Sequence, residues 1–390
     1  MPFRITLPPI LAKWLVRLGA FIVPPATDQW AIILTPGNRW SGNLRAIAEA
    51  AKHQTDARVN VIDFNSDARN QGSVVAHKFD YYNAPSLGSV FALLRSKVIF
   101  CQSRMPNSVH PGSRIRGRRY YLVWHGIGFK AHNRNYWEKQ GHSYFDWILV
   151  ASSREKHRFN TQMGIPKHKL RIVGLPRLDY LVYGEKYLPS DILERKSYLR
   201  SLKQDKKLLL WAPSWEIFNL NDRLPSKVID AILKQLPEGW LLGIRFHPVR
   251  ASTRPALPND DRLLDLNDNS FPTTESVLRE VDVLMTDFSS IWVDFLALDR
   301  PIVGFGGYID DIMSSGRIGK GYRSEFPGPW FSCPEELCQS LNRVHRADSF
   351  KKERAELLPI LGPYPDANRR VVDFVSRETL SDSFSENQSP

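Results

Sequence analysis

The 390-residue sequence has few cysteines and no long hydrophobic run, and both absences narrow the classes of protein it can encode. Its three cysteines are Cys101, Cys333 and Cys338. They form no CxxC pair and have no histidine at metal-ligand spacing, so the pattern indicates no zinc site and favours a reducing compartment. No stretch approaches the roughly 18 consecutive apolar residues of a membrane-spanning helix. We therefore expect a chain without a structural metal or a bilayer span.

Three familiar nucleotide-binding motifs are also missing. The sequence contains no GxxxxGK[ST], which disfavours a P-loop ATPase, and no GxGxxG after its first predicted strand, which leaves NAD binding with little support. It contains no Asp-x-Asp, the carboxylate pair with which many single-domain transferases hold a metal ion and a nucleotide sugar. From these absences we expect no resident cofactor and no metal site.

The charge balance favours anionic partners. Lysine and arginine number 53 and aspartate and glutamate 41, which leaves a formal net charge of +12 at pH 7. Such a chain attracts nucleotide phosphates, a polyanionic product, acidic lipid headgroups or nucleic acid. The basic run at 114–119 is interpreted as a solvated loop, with attraction of an acidic lipid or polyanion as the alternative. Since no recognisable nucleic-acid-binding module is present, we expect no nucleic-acid partner.

Short apolar runs alternate with helix-like segments along the chain, which is typical of βα units and parallel sheets. The first strand and the first helix that follows it are predicted at 30–34 and 43–52. The other predicted strands are 59–64, 97–101, 120–124, 147–151 and 170–173 in the first half, and 207–211, 241–246, 281–285 and 301–305 in the second. Because open parallel sheets bind ligands beyond the carboxyl ends of their strands, functional residues should follow these strands.

The length predicts two domains, because one domain commonly holds about 100–200 residues. We assign a first Rossmann-like domain to 26–184, a charged helical linker to 185–206 and a second Rossmann-like domain to 207–380. A polar, disordered tail is expected at 381–390.

Residues 1–25 form a separate segment before the first domain. Within it, 10–23 predict an amphipathic helix with Lys13 and Arg17 opposite its apolar face. Such a helix either lies in a membrane interface or docks on the first domain.

A histidine follows the predicted strand at 120–124. His125 is succeeded by Gly126, Ile127 and Gly128, and the two glycines allow the backbone to approach a ligand closely. The unperturbed pKa of histidine suits proton abstraction near neutral pH, so His125 is the candidate general base. The alternative is a structural histidine at a strand end.

The predicted strand that ends at Met285 leads through a polar turn into a helix. The free amides and hydroxyls at a helix N-terminus attract anions, so Ser289 and Ser290 are candidate phosphate ligands, with Asp287 beside them. The alternative is ordinary N-capping of that helix by Asp287 or Ser289.

Two further strand ends carry candidate groups. The strand at 241–246 delivers Arg245 and His247, both suited to contact a phosphate or to stabilise a leaving group. Their alternatives are a salt bridge for Arg245 and a structural loop position for His247. Ser214 follows the strand at 207–211 and is a further candidate phosphate neighbour.

With these clusters in this order, the sequence resembles the CDP-glycerol glycerophosphotransferase family, which includes teichoic-acid primases and polymerases and related capsule enzymes. The resemblance rests on Trp124-His125-Gly126, Gly174-Leu-Pro-Arg-Leu-Asp179, Trp211-Ala-Pro-Ser214, Arg245-Phe-His-Pro248, and 282–290 followed by Asp294 and 299–301. Phe288, Ser214 and the Ile127-Gly128 pair depart from the residues that are frequent in the family, which leaves substrate detail open.

The resemblance implies a GT-B fold, in which two Rossmann-like domains have parallel sheets facing across a cleft. It implies a phosphotransferase that moves glycerol phosphate, or another polyol phosphate, from CDP-glycerol or CDP-ribitol to a hydroxyl of a lipid-linked cell-envelope glycopolymer. It also implies that His125 activates the acceptor hydroxyl, whereas His247, Ser289 and Ser290 contact the donor pyrophosphate.

From these roles we expect the acceptor oxygen to attack the donor phosphorus that bears the polyol, with CMP leaving in line. Arg245 and His247 would stabilise the departing CMP. The enzyme would be peripheral, on the cytoplasmic face of the cell membrane, where a lipid-linked acceptor is available. Two alternatives stay open: a GT-B glycosyltransferase that uses a nucleotide sugar, and a non-catalytic nucleotide- or polyanion-binding module.

Overall fold

The chain forms two compact α/β units. The computed structural model describes residues 6–36, 39–65, 68–106, 115, 117–124, 126–127, 142–214, 224–247, 254–306, 309–316, 318 and 322–386. The first unit draws on Met1–His125, His132–Asp179 and Gly362–Pro390, and the second is formed mainly by Tyr180–Leu361. Each unit is built around its own parallel sheet.

The first sheet has seven strands, all parallel to their neighbours. They are β1 (Ala26–Leu34), β2 (Arg58–Asp63), β3 (Asp80–Asn83), β4 (Ser96–Cys101), β5 (Arg119–Val123), β6 (Trp147–Val150) and β7 (Leu170–Ile172). Their spatial order is β3-β2-β1-β4-β5-β6-β7. The chain runs outward from β1 to β3 and then returns to the other side of β1 at β4. The topological switch point, where such sheets bind ligands, therefore lies between β1 and β4.

The second sheet has six strands, again all parallel. They are β8 (Lys207–Trp211), β9 (Trp240–Ile244), β10 (Leu263–Asp265), β11 (Val283–Thr286), β12 (Ile302–Phe305) and β13 (Trp330–Phe331). Their order is β10-β9-β8-β11-β12-β13, so the switch point lies between β8 and β11. The register pairs Trp211 with Ile244 on one side and with Met285 on the other. The carboxyl ends of β9, β8 and β11 consequently meet at one edge.

Helices connect the strands and pack on the sheets. Numbered along the chain, they are α1 (Pro9–Ile22), α2 (Gly42–Gln54), α3 (Ala68–Ala76), α4 (Leu87–Arg95), α5 (Ser153–Met163), α6 (Asp179–Val182), α7 (Ser190–Lys203), α8 (Leu224–Gln235), α9 (Thr274–Leu278), α10 (Ile291–Phe295), α11 (Ile309–Ser314), α12 (Tyr322–Glu325), α13 (Pro334–Ala347), α14 (Lys351–Leu357) and α15 (Ala367–Glu386). No helix within the described ranges combines the length and the apolarity that crossing a bilayer requires.

Strand β1 shows why the predicted strands were recognisable. Trp30, Ile32 and Leu34 belong to one core with residues of α2 and α15. Ala31 and Ile33 belong to another, with residues of α1, α4 and α5. Successive side chains of a strand point to opposite faces, so a strand covered on both faces is a continuous apolar run.

Each strand predicted from the sequence is confirmed to within a few residues. Three strands were not predicted: β3, β10 and β13. All three lie at sheet edges and are only two to four residues long. An edge strand is buried less than a central one, so it lacks the apolar run by which the others were found.

The segment predicted as a linker, 185–206, is part of the second unit. Helix α7 fills most of it and carries Lys196, whose Nζ lies 2.5 Å from Glu185 Oε1 and 3.3 Å from Glu280 Oε1. Glu280 immediately precedes the residues that lead into β11. The pair with Glu280 attaches the charged helix to the rest of the second unit, whereas the pair with Glu185 lies within the segment itself.

The carboxyl-terminal helix α15 belongs to the first unit, although residues up to 380 were assigned to the second domain. The Phe374 ring packs edge-on against Tyr121 and Trp147, with ring centroids 6.3 and 5.1 Å away. Asp179 accepts hydrogen bonds from the first amides of the helix, Ala367 N at 3.2 Å and Asn368 N at 2.9 Å. Neither glycine nor proline interrupts the helix, so the predicted disordered tail is helical as far as Glu386.

Helix α1 docks on the first unit through small residues and leaves its large apolar residues exposed. Ala12 and Val16 are fully buried beside α4, and a Cβ added at Gly19 would lie 2.4 Å from Leu94 Cδ1. The exposed apolar residues of α1 are Ile10, Leu11, Trp14, Leu18, Phe21 and Ile22. The helix therefore docks on the protein, yet the apolar face predicted from the sequence is not the face that docks.

Candidate functional site

The polar clusters predicted for the second unit lie at one edge of its sheet. Arg245 and His247 follow β9, Ser214 follows β8, and the turn from Asp287 to Ser290 follows β11. The strand ladder continues just beyond the strands, because Arg245 N donates to Trp211 O over 3.0 Å and Ala212 N donates to Met285 O over 2.9 Å. The structure thus places the predicted groups of the second unit along one edge of its sheet, with those that follow β8 and β11 at the switch point.

Asp287 ties β8 to β11 at this edge. It is fully buried. Its Oδ1 accepts hydrogen bonds from Ser214 N at 2.8 Å and from Ser289 N at 3.0 Å, and its Oδ2 accepts one from Ser214 Oγ at 2.9 Å. Within the described residues, both oxygens of the carboxylate are therefore engaged by the chain itself. Asp287 therefore shapes the turn that would receive a phosphate, and direct contact with a ligand stays a prediction.

A buried tyrosine also holds this turn, through a hydrogen bond to its backbone. Tyr322 donates its hydroxyl to Asp287 O over 2.8 Å and accepts a bond from Trp292 Nε1 over 2.9 Å. Burial, together with the nearby Asp287 carboxylate, raises the pKa of the Tyr322 hydroxyl well above its usual value. The tyrosine is therefore a neutral donor throughout the physiological pH range. Neither aromatic residue was identified as a site residue from the sequence, since neither lies at a strand end.

Ser289 and Ser290 have hydroxyls that bond to no other described residue. Ser290 is the N-cap residue of α10, but its side chain makes no capping bond within the described part of the chain. Asp287 bonds to the amide of Ser289, which precedes the helix, so the N-capping alternative considered for Asp287 and Ser289 does not describe this turn. Both serines are partly exposed. Their hydroxyls suit a phosphate oxygen, and that contact stays a prediction.

Arg245 is anchored in the protein by its guanidinium. It is 8% exposed, and its Nη1 donates to Leu266 O over 2.6 Å and to Phe271 O over 2.9 Å. Its Nη2 donates to Thr274 Oγ1 over 3.0 Å. These bonds attach the end of β9 to the segment that follows β10. A phosphate contact by Arg245 stays a prediction, and the geometry gives the residue a structural task as well.

His247 is exposed two residues beyond Arg245. The backbone between them is held by Asn267, whose Oδ1 accepts from Phe246 N over 2.7 Å. Asn267 was missed by sequence analysis because it follows β10, a strand that was itself not predicted. His247 is thus exposed at the same sheet edge as the turn from Asp287 to Ser290, which we call the serine turn.

The predicted base in the first unit, His125, lies outside the described residues, as does Gly128. The neighbouring Trp124 and Gly126 are described. Trp124 is 6% exposed and packs edge-on against Phe159 of α5, with ring centroids 4.9 Å apart. The role of His125 as a base stays a prediction.

Glu155 lies near this strand end and was not identified from the sequence. It is buried in the first turn of α5, where Oε2 accepts from Ala151 N over 2.6 Å and Oε1 has no partner among the described residues. Burial raises the pKa of Glu155 to about 7, against the opposing effects of the Ala151 amide, Arg158 and Arg177. The signal was the Ser152-x-x-Glu155 spacing of a capping box.

No group of three or more histidine, cysteine, aspartate or glutamate side chains in the described ranges has a geometry that could hold a metal ion. The expectation of a metal-free site stays a prediction, because the ranges leave out His125 and its neighbours.

Comparison with known proteins finds teichoic-acid enzymes that match along most of the chain. The chain is 23% identical over 347 residues to the teichoic acid poly(glycerol phosphate) polymerase of Bacillus spizizenii, covering 81% of this chain and 83% of that one. It is 21% identical over 334 residues to the teichoic acid glycerol-phosphate transferase of Staphylococcus aureus, covering 79% of this chain and 82% of that one.

Solved structures show the fold. A structure of the wall teichoic acid polymerase TagF matches with a TM-score of 0.77 at 17% identity, over 95% of this chain and 94% of that one. The Staphylococcus aureus MnaA structure with UDP matches with a TM-score of 0.57 at 10% identity, over 90% of this chain and 96% of that one. The predicted α/β fold with two parallel sheets is confirmed.

The family model described as CDP-glycerol:poly(glycerophosphate) glycerophosphotransferase matches residues 21–376. This range contains all five segments on which the sequence resemblance rests. The family and the relatives identify a transferase that moves a polyol phosphate from a CDP-activated polyol to a glycopolymer acceptor. The chain belongs to the CDP-glycerol:poly(glycerophosphate) glycerophosphotransferase family.

Proposed function

We propose that this enzyme transfers glycerol phosphate from CDP-glycerol to a hydroxyl of a lipid-linked cell-envelope glycopolymer, at the cytoplasmic surface of the membrane, and releases CMP. The observation that carries the proposal is the polar turn at the switch point of the second sheet. There Asp287 joins Ser214 to Ser289, and the serine hydroxyls beside it suit an anion. Relatives named as poly(glycerol phosphate) and poly(ribitol-phosphate) polymerases both match, so CDP-ribitol is the second donor to test.

The second unit binds the donor in this proposal. Ser289 and Ser290 donate their hydroxyls to the pyrophosphate, and Ser214 stands on the adjacent strand end. His247 and Arg245 add positive charge or hydrogen-bond donors at the end of β9. Donors aimed at developing negative charge stabilise a transition state, so these groups favour departure of CMP.

The first unit supplies the base. The acceptor oxygen forms a bond to the phosphorus that carries glycerol, and the bond from that phosphorus to the bridging oxygen of the pyrophosphate breaks. CMP leaves with the bonding electron pair. His125 takes the proton of the acceptor hydroxyl as the new bond forms.

Helix α1 is the membrane contact in this proposal. Phe21 is 92% exposed and Trp14 is 53% exposed, whereas the helix is fixed to the protein on its opposite side by Ala12 and Val16. The guanidinium carbon of Arg17 lies 5.6 Å from the centroid of the Trp14 ring. Exposed aromatic and aliphatic residues with a neighbouring cation are typical of helices that lie in an anionic bilayer surface.

A donor panel tests the proposed reaction. The purified full chain is incubated with a synthetic lipid-linked glycan that ends in glycerol phosphate, and with CDP-glycerol, CDP-ribitol or UDP-sugars. We expect CMP release and product elongation with CDP-glycerol. Elongation with CDP-ribitol alone would replace glycerol by ribitol in the proposal. UDP release from a sugar donor would instead establish the glycosyltransferase alternative, and no turnover with any donor would favour a binding module.

A further inference from the structure

A single buried carboxamide joins three loops at the carboxyl edge of the first sheet. Asn43, in the first turn of α2, is fully buried. Its Nδ2 donates to Trp124 O at the end of β5 over 3.0 Å. Its Oδ1 accepts from Arg177 N, beyond β7, over 3.1 Å. The first turn of α2, the end of β5 and the segment after β7 are therefore connected through one side chain.

The side chain is not used to cap its own helix. The N-cap residue of α2 is Ser41, and Asn43 lies two residues further on, where asparagine is a poor helix former. Both of its polar atoms bond to other loops, and the partners determine which end of the amide faces which loop. A carbonyl needs the NH₂ group and an N–H needs the carbonyl oxygen, so the flipped amide would lose both bonds.

Trp124 is held at its side chain as well as at its backbone. Its indole packs against Phe159 of α5, and its carbonyl oxygen bonds to Asn43. That carbonyl belongs to the planar peptide group that links Trp124 to the next residue of the chain, His125. A hydrogen bond to the carbonyl oxygen restrains the rotation of the whole peptide group. The restraint therefore acts directly on the backbone from which the proposed base extends.

We propose that Asn43 is a positioning residue for the transfer reaction, which orients the peptide group of His125 through the Trp124 carbonyl. The inference rests on the proposed role of His125 as the base. Proton transfer in a positioned pair is sensitive to small displacements, and a shift of about 1 Å can lower a rate by about 10²-fold. Loss of the Asn43 bond should therefore slow the chemical step and leave donor binding, which the second unit provides, unchanged.

Two variants test the role. Asn43→Ala removes both hydrogen bonds, whereas Asn43→Asp keeps an acceptor for Arg177 N but turns a carboxylate toward the Trp124 carbonyl. We expect each to lower kcat for CMP release from CDP-glycerol by about 10- to 100-fold, with KM for CDP-glycerol within about 3-fold of the parent. Affinity for CDP, measured by titration calorimetry, should not change. Assays run well below the melting temperature of each variant keep unfolding out of the comparison.

Asn60→Ala is the matched control. Asn60 is also a buried asparagine of the first sheet, and its Nδ2 donates to Trp30 O over 3.4 Å, away from the carboxyl edge. It should lower the melting temperature without the selective loss of kcat. If Asn60→Ala loses as much kcat as Asn43→Ala, or if the Asn43 variants keep full kcat, the positioning role is wrong.

A double-mutant cycle separates this inference from the proposed function. If Asn43 acts through His125, Asn43→Ala should cause no further loss in a His125→Ala background, measured as slow release of radiolabelled CMP. Additive losses would show a structural effect and overturn the inference. Near-normal turnover by His125→Ala alone would overturn the proposed base, and with it the inference. Loss in His125→Ala beside full activity in both Asn43 variants would leave the base assigned and reject only Asn43.

Discussion

The carboxyl edges of the two sheets are organised differently, although the sheets share one doubly wound pattern. In the second unit Ser214 and Ser289 meet Asp287 at the switch point between β8 and β11. In the first unit a hydrogen bond of 2.6 Å between Thr35 Oγ1 and Ser103 Oγ joins the segments that follow β1 and β4 at the switch point. The histidine of the family motif follows β5, one strand further on. The switch point thus indicates the proposed donor site but not the proposed base.

The residue that ties each edge together differs for a chemical reason. Among the described residues, Asp287 accepts from two backbone N–H groups and from the Ser214 hydroxyl, and a carboxylate is an acceptor for all of them. Asn43 meets one carbonyl and one N–H group, so it must donate as well as accept. The polarity of the partners therefore determines whether an acid or an amide holds the edge. Substitutions at these residues test the difference between the two edges.

The largest effect is expected for the proposed base. His125→Ala should lower the transfer rate by about 10²- to 10⁴-fold, the usual contribution of a positioned general base, and leave CDP affinity unchanged. His53→Ala, which changes an exposed histidine at the end of α2, should keep full activity. Near-normal turnover by His125→Ala, measured as CMP release, would contradict the proposal that the first unit supplies the base while the second binds the donor.

A smaller effect, on CDP affinity, is expected at the carboxyl edge of the second sheet. Asp287→Ala leaves the buried Ser214 amide without its acceptor, which costs about 1–3 kcal/mol and disorders the serine turn. We expect the Kd for CDP to rise about 10- to 100-fold, together with a lower melting temperature. Asp287→Asn should do less harm, because its oxygen can accept from the two amides and its NH₂ group can donate to the Ser214 hydroxyl.

The matched control for Asp287 is Asp260→Ala. Asp260 makes the same kind of turn, with Oδ1 accepting from the amide two residues on, Arg262 N, over 2.8 Å, but it precedes β10. CDP affinity should be unchanged in this variant. If Asp260→Ala weakens CDP binding as much as Asp287→Ala, the effect is a general loss of stability and the donor site must be sought elsewhere.

The exposed helix gives a third contrast, because α1 belongs to the first unit alone. The double variant Trp14→Glu, Phe21→Glu should weaken binding to vesicles of anionic phospholipid at least about 10-fold, since burying one large apolar side chain contributes about 1.5–3 kcal/mol. The melting temperature should not fall, because neither residue is buried. Tyr187→Glu changes an exposed aromatic of the second unit and serves as the control. Equal vesicle binding by all three proteins in a flotation assay would reject α1 as the membrane contact.

The sequence predicted the central strands, but it did not predict contacts between residues that are far apart along the chain. Strands such as β1 and β8 were recognisable because both of their faces are buried. Ser214 and Asp287, 73 residues apart, were both singled out because each follows a strand. Asn43 was not, because its partners lie 81 and 134 residues away and are backbone atoms, which leave no side-chain pattern in the sequence. Its role depends on the order of the strands, which local propensity does not encode.

The assignment of α15 to the first unit was unpredictable for a similar reason. Its apolar residues indicate that it packs on a sheet but not on which one. The deciding contacts are Phe374 against Tyr121 and Trp147, and Asp179 at the first turn of the helix. Asp179 was visible as part of a family motif, whereas its use as a cap for a helix that begins at Ala367 was not.

The last expected effect concerns Glu155, the buried acid at the carboxyl edge of the first sheet, and appears as a pH dependence of stability. The pKa of Glu155 is raised from 4.5 to about 7 in the folded protein, chiefly by burial, with Arg158 and Arg177 opposing the shift. The folded state therefore keeps a proton that the unfolded chain releases. The stability from this group is fully present below about pH 4.5 and is lost as the pH rises through 7, by about 3 kcal/mol in all.

Glu155→Gln removes this titration while retaining an acceptor for Ala151 N. The melting temperature of the variant, relative to the parent, should therefore rise as the pH increases from 5 to 8, because the parent alone must ionise a buried acid. Comparison with the parent at each pH cancels the contribution of Asp179, whose pKa is also raised, to about 6. A constant difference in melting temperature across this range would mean that Glu155 keeps an ordinary pKa, and that Arg158 and Arg177 compensate for its burial. Glu155 would then be an ionised carboxylate at neutral pH, buried at the carboxyl edge of the first sheet.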